Sequence, residues 1–126
     1  MKKELSTEFQ KGIKLFNSGN FYECHDVLED VWFDVSGRDK DFYQGLIHLA
    51  VGFYHITGKN NPKGALLQLN KAVIKLIPYK PIHEGINLGR ILPKVEDCIR
   101  NIQKFKDGKI NKFEEGLIPK LGLILK

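Results

Sequence analysis

Tyr22-Glu-Cys-His-Asp-Val-Leu-Glu-Asp-Val-Trp32 is the stretch whose reading decides the fold. At 3.6 residues per turn it places Tyr22, His25, Glu29 and Trp32 on one strip of a helix. Beside that strip runs an apolar stripe of Phe21, Cys24, Leu28, Val31 and Val35. An imidazole and a carboxylate one turn apart, at the edge of a hydrophobic face, are either a site or the polar lock of a core.

Upstream, Leu5, Phe9, Ile13 and Phe16 repeat at helical spacing and define a first amphipathic helix. Asn17-Ser-Gly-Asn20 ends it, with Gly19 free to take the positive φ of a helix stop. Asn20 then caps the second helix, and Glu23 supplies the return arm of a capping box. That helix ends near Ser36-Gly37, and helices joined by so short a turn pack antiparallel.

Downstream, a third helix from about Asp39 to Thr57 is apolar on nearly all sides, so it belongs in the middle of a bundle. Its narrow polar strip is Gln44, His48 and His55, bordered by Gly45 and Gly52. Each helical glycine costs about 1 kcal/mol against alanine, so the pair should admit a close neighbour, either backbone or the bulk of Trp32. Asn61 and Pro62 open a fourth helix running to Ile77. Its two apolar sets are Leu66, Leu69, Val73 and Leu76, and Leu67, Ile74 and Ile77, which predict contact with the bundle over a wide arc. Pro78 and Pro81 stop it.

His83-Glu-Gly-Ile-Asn87 is expected to be a loop, with His83 exposed. A fifth helix carries Leu88, Ile91, Leu92, Val95, Ile99, Ile102 and Phe105, settling or kinking near Leu92 because of Pro93. The tail 107–126 is too apolar at Leu117-Ile-Pro-Lys-Leu-Gly-Leu-Ile-Leu125 to hang in solvent, and should lie extended against the bundle or a second subunit. No strand pattern of any length interrupts the helices. The class is all-α: one domain over 1–126, a bundle of about five helices at about 4–106 built from antiparallel hairpins, with a packed tail.

A chain of 126 residues buries roughly two thirds of its unfolded surface and needs no disulfide to hold together. Cys24 and Cys98 have no metal-site or redox spacing, which points to buried, reduced thiols. The start, Met1-Lys-Lys-Glu-Leu-Ser-Thr-Glu8, lacks an apolar core of signal length, so a cytoplasmic location is expected. The uncharged run 42–58 is shorter than the ~20 residues a bilayer needs, and it carries Gln44, His48 and His55. Charge is uneven: Glu23 to Asp41 holds seven acidic and two basic residues, and Lys59 to the end fourteen basic and six acidic. The lysines are dispersed without an arginine cluster, the pattern of a solvated surface rather than a nucleic-acid footprint.

Phe16-Asn-Ser-Gly-Asn-Phe-Tyr-Glu-Cys-His-Asp-Val-Leu-Glu-Asp-Val-Trp32, followed by Phe42-Tyr-Gln-Gly-Leu-Ile47, Ala50, Tyr54-His55 and Gly58-Lys-Asn60, resembles the bacterial family called domain of unknown function 309. Tyr79, Pro81 and Gly85-Ile-Asn-Leu88 fit its later portion, so the resemblance runs from about Phe9 to Phe105. It implies a compact helical bundle with tetratricopeptide-like hairpins, and it implies no activity. It marks Glu23, His25, Glu29, Trp32, Gln44 and His55 as signature positions, while His48 stands where the family commonly has glutamine.

Antiparallel packing of the second and third helices predicts a polar seam: Glu29 with Gln44, His25 with His48, and His55 toward Glu23. If these groups satisfy one another the seam is architecture, because buried polar groups must be paired. The expected function is then a non-catalytic binding or interaction module, with no cofactor. Its partners would meet the acidic helix 20–35 or the apolar tail, with neither membrane nor nucleic acid among them. The alternative is a small ligand- or divalent-metal-binding protein, extending to a hydrolase. Its site would lie between the two helices, with Tyr22, Trp32 and Tyr54 as pocket walls and His25, Glu29 and His48, joined by His55, as metal candidates. No P-loop, nucleophile elbow or HExxH motif points to a reaction, and no catalytic residue is assigned.

Overall fold

The computed structural model describes residues 6–122, so the expectations placed on Leu5 and on residues 123–126 lie outside the described residues. Five helices follow one another: α1 (Thr7–Asn17), α2 (Phe21–Asp34), α3 (Asp39–Thr57), α4 (Pro62–Leu76) and α5 (Leu88–Lys106). Each packs chiefly against its neighbours in sequence, with α3 between α2 and α4. The fold is the all-α bundle that the periodicity predicts. No helix among the described residues is long and apolar enough to cross a membrane.

Local chemistry sets the boundaries. The Ser6 side chain caps α1 by accepting from the Phe9 amide at 3.0 Å. Gly19 takes φ +81° at the turn into α2. The capping box expected there is not formed: the Asn20 side chain makes no cap bond and donates instead to Ser18 Oγ at 2.9 Å. Asn61 caps α4 through Gly64 N with Pro62 in the first turn, as predicted.

The stretch 82–87 is a small hairpin rather than a loop, β1 (Ile82–His83) pairing antiparallel with β2 (Ile86–Asn87). Its two turn residues, Glu84 and Gly85, both have positive φ, the backbone that a two-residue hairpin turn requires. Asn87 then caps α5 by accepting from Arg90 N at 3.1 Å, so the helix starts at Leu88 and runs past Pro93. Pro93 lies early enough to forfeit a single intrahelical bond, on an exposed face.

The core is one continuous cluster from Phe9 to Leu121. Phe16, Phe21 and Phe53 lock α1, α2 and α3 together with ring centroids 5.0–5.9 Å apart. The helical glycines admit α4: side chains of Leu76 and Lys75 lie over Gly45, the side chain and backbone N of Leu69 lie over Gly52, and Trp32 is not the neighbour. A Cβ on Gly45 would lie 2.7 Å from Leu76 Cδ2, and one on Gly52 would lie 2.6 Å from Leu69 Cδ2. The wide arc expected of α4 is corrected too: Leu69 and Leu76 are buried, whereas Leu67, Ile74 and Ile77 face outward.

The tail closes on the α1–α2 corner of its own bundle. The Asn17 side chain pairs with the Leu121 backbone, donating to O at 3.1 Å and accepting from N at 2.7 Å. Phe113 and Leu121 are buried, and a short 3-10 turn (Glu115–Leu117) replaces a fully extended course.

Candidate functional site

His25 is set by α2 itself. Its Nδ1 lies 2.7 Å from the Tyr22 carbonyl, and a carbonyl only accepts, so Nδ1 carries the proton and donates. In the neutral ring Nε2 then presents its lone pair outward. Nε2 is 3.7 Å from Asp26 Oδ1 and 3.7 Å from Glu29 Oε1. One donor atom from each of the three residues falls within 4.8 Å of the others. Around a zinc-like ion, ligand atoms stand roughly 3–3.5 Å apart, so small side-chain adjustments close this group on a cation. A ligating histidine ordinarily donates its second N–H to a carbonyl or carboxylate, and Tyr22 O fills that role here.

The other expected seam members go elsewhere. His48 Nδ1 meets Gln68 Oε1 of α4 at 2.7 Å, so the predicted His25–His48 pairing is replaced by an α3–α4 bond. No hydrogen bond joins Glu29 to Gln44 among the described residues; Glu29 is exposed and Gln44 half-buried. The His55 ring sits 3.2 Å from where a Gly64 Cβ would be, against the first turn of α4 rather than toward Glu23, which is exposed. His55 Nδ1 and Trp32 Nε1 are sealed from solvent with no hydrogen-bond partner among the described residues. A buried seam is therefore absent: no polar or charged residue among those described is buried as a whole. α3 presents His48 and His55 to α4, because Gly45 and Gly52 draw α4 onto that side.

The three aromatic walls do not enclose one pocket. Tyr22 and Tyr54 meet near the start of α2 with ring centroids 5.3 Å apart and planes tilted by 55°. Trp32 lies at the far end, with Lys40 Nζ 4.1 Å above its ring. Lys40 also donates to Trp32 O at 2.8 Å and Val35 O at 3.1 Å, supplying the cationic cap that the last turn of α2 lacks. Cys24 and Cys98 are buried and free, and burial pushes both thiols up to about 12, so neither offers a thiolate.

A second group, Asp39, His83 and Glu84, escaped the sequence reading. His83 is half-buried, not exposed: Nε2 bonds Asp39 Oδ1 at 2.8 Å and its ring packs on Phe42 and Tyr79. The partners are 44 residues apart, so no spacing rule could reveal them. Beside them a cavity of about 260 Å³ is lined by Glu8, Asp30, Asp34, Asp39, Tyr43 and Glu84.

Fold and surface together define an all-α helical bundle with a histidine–carboxylate group on its second helix. Residues 9–67 match the model of a family described as a domain of unknown function, DUF309, and the chain resembles that family over this stretch. The match takes in α1, α2 and α3 with the first turns of α4, and so includes His25, Asp26 and Glu29 but not His83 or Glu84. An uncharacterised protein of Aquifex aeolicus (strain VF5) is 29% identical over 85 residues, 67% of this chain and 25% of that protein. The uncharacterised protein YpuF of Bacillus subtilis (strain 168) is 28% identical over 86 residues, 67% of this chain and 49% of that protein. The matched segment thus spans about half or less of each relative's length.

Proposed function

We propose that this protein is a non-catalytic binding module whose site is a divalent-cation group on α2: His25, Asp26 and Glu29. The observation that carries the reading is the Nδ1–Tyr22 O bond, which aims Nε2 at the two carboxylates. A purely structural role for the group has little support, because Asp26 and Glu29 are exposed and, among the described residues, pair only with His25 of their own helix. Three donors from a single helix leave several coordination positions open, so the ion is held loosely and is available to a ligand brought by a partner. Among the described residues both cysteines are buried and no activated nucleophile adjoins the group, which favours binding over hydrolysis.

The test is calorimetric titration of Zn²⁺ and Mn²⁺ into chelator-stripped protein. One site per chain is expected, weakened at least tenfold in His25→Ala and in Glu29→Gln, both of which keep the wild-type circular dichroism. Equal affinity in wild type and His25→Ala would remove the site.

A further inference from the structure

The outward residues of α4, together with Ile77, its C-cap, form a strip. Leu67, Asn70, Ile74 and Ile77 follow one another at spacings of three, four and three, the spacing of a helix–helix seam. Ile74 is 72% exposed and Leu67 56%. The charged residues of α4 are Lys63, Lys71 and Lys75, with no acid. Lys75 is held by Asp41 at 3.2 Å, whereas Lys63 and Lys71 meet no acidic partner among the described residues. An apolar strip edged by lysines calls for a helix with apolar ends and acidic sides.

That helix exists in the same chain, on the opposite side of α3. The outer strip of α2 is Tyr22, Asp26, Glu29 and Phe33, with Asp30 alongside. Phe33 is 79% exposed, and α2 carries five carboxylates and neither lysine nor arginine. Tyr22 and Phe33 lie about 16 Å apart along the axis and Leu67 and Ile77 about 15 Å, so the apolar ends coincide. Within one chain α3 separates the two faces. The described part of the tail, to Gly122, is occupied by the α1–α2 corner. Pairing α4 with its own copy would bring lysine edges together, which opposes that arrangement.

We propose that copies of this chain associate head to tail, the acidic face of α2 in one molecule seating on the lysine-edged strip of α4 in the next. A single helix–helix contact is small, so the association is weak and reversible, and its charge component makes it salt-sensitive. It does not depend on the cation reading, although both use Asp26 and Glu29. Association is therefore measured in chelator, and cation binding on dilute monomer, so that either can fail alone.

The experiment is analytical ultracentrifugation of the full chain from about 10 μM to about 1 mM, at about 20 and about 500 mM salt. The expected result is a weight-average mass that rises with concentration and falls back toward the monomer in high salt. Phe33→Ser, Ile74→Asp, Lys71→Glu and Asp30→Lys should each hold the protein monomeric with unchanged circular dichroism. An equimolar mixture of Lys71→Glu and Asp30→Lys should associate again, because each restores the charge match the other lacks. Wild type that stays monomeric at the highest concentration in low salt overturns the proposal. So does a Lys71→Glu variant that associates more strongly than wild type, which marks α4–α4 pairing, or a mixture that remains monomeric.

Discussion

At residue scale, the glycines of α3 show how a missing side chain chooses a neighbour. Gly52 lies so close to α4 that an added Cβ would meet Leu69 Cδ2 at 2.6 Å, Cγ at 2.7 Å and the Leu69 backbone N at 3.2 Å. A branch point and a backbone atom cannot swing aside as the end of a flexible chain can. Gly52→Ala therefore gains helix propensity of about 1 kcal/mol yet should lose about 1–2 kcal/mol net through overpacking, read as a lower urea midpoint. The sequence announced that Gly45 and Gly52 needed a close neighbour, because glycine is otherwise a poor helical residue. It did not announce Leu69 and Leu76, since distance along the chain holds no information about which helix approaches. His25 with Glu29 is the counter-case: the two lie one turn apart, so that pair was visible in its spacing, whereas Asp26, adjacent to His25 in the chain, was not among the candidates. His83 with Asp39 was not.

At the scale of elements, α2 and α4 differ in how they end. α2 finishes with Asp34 and no basic residue in its last turn, an arrangement that its own dipole opposes. Lys40, from the first turn of α3, crosses back to the carbonyls of Trp32 and Val35 and lies over the Trp32 ring. Lys40→Met should cost about 1 kcal/mol of stability and shift the emission of Trp32, the chain's single tryptophan. Unchanged emission would show that the lysine does not hold that end. α4 illustrates a limit of periodicity: Leu66, Leu69, Val73 and Leu76 and the set Leu67, Ile74 and Ile77 both recur at helical spacing. Which set the bundle covers depends on where α3 and α5 sit. The hairpin 82–87 was missed because two-residue strands are too short to show alternation, although Glu84-Gly85 carried a turn signal.

At the scale of the whole molecule, the bundle is fastened by its tail. Asn17, at the end of α1, holds the Leu121 backbone across 104 residues, and its carbonyl accepts from Lys120 Nζ at 2.6 Å. Asn17→Ala should lower stability by about 1–2 kcal/mol and speed amide exchange at Leu121, leaving the centre of α3 protected. Equal exchange in variant and wild type would show that the apolar anchors Phe113 and Leu121 suffice alone. By itself the sequence determined the five helices, their order, the central place of α3 and the pairing of His25 with Glu29 on α2. Those features follow from periodicity, capping and side chains within one turn of each other, which are local properties of the chain. Tertiary structure alone decided that His48 turns to Gln68, that His55 faces α4 and that the tail seals the α1–α2 corner. It likewise decided that Leu67, Ile74 and Ile77 are left bare. The rotation of each helix about its axis is fixed by close contact between helices, such as leucines filling the space over Gly45 and Gly52, and no pattern along a single helix encodes it. The opening stretch was thus legible in which groups it gathers, and illegible in whether they face a neighbour or the solvent.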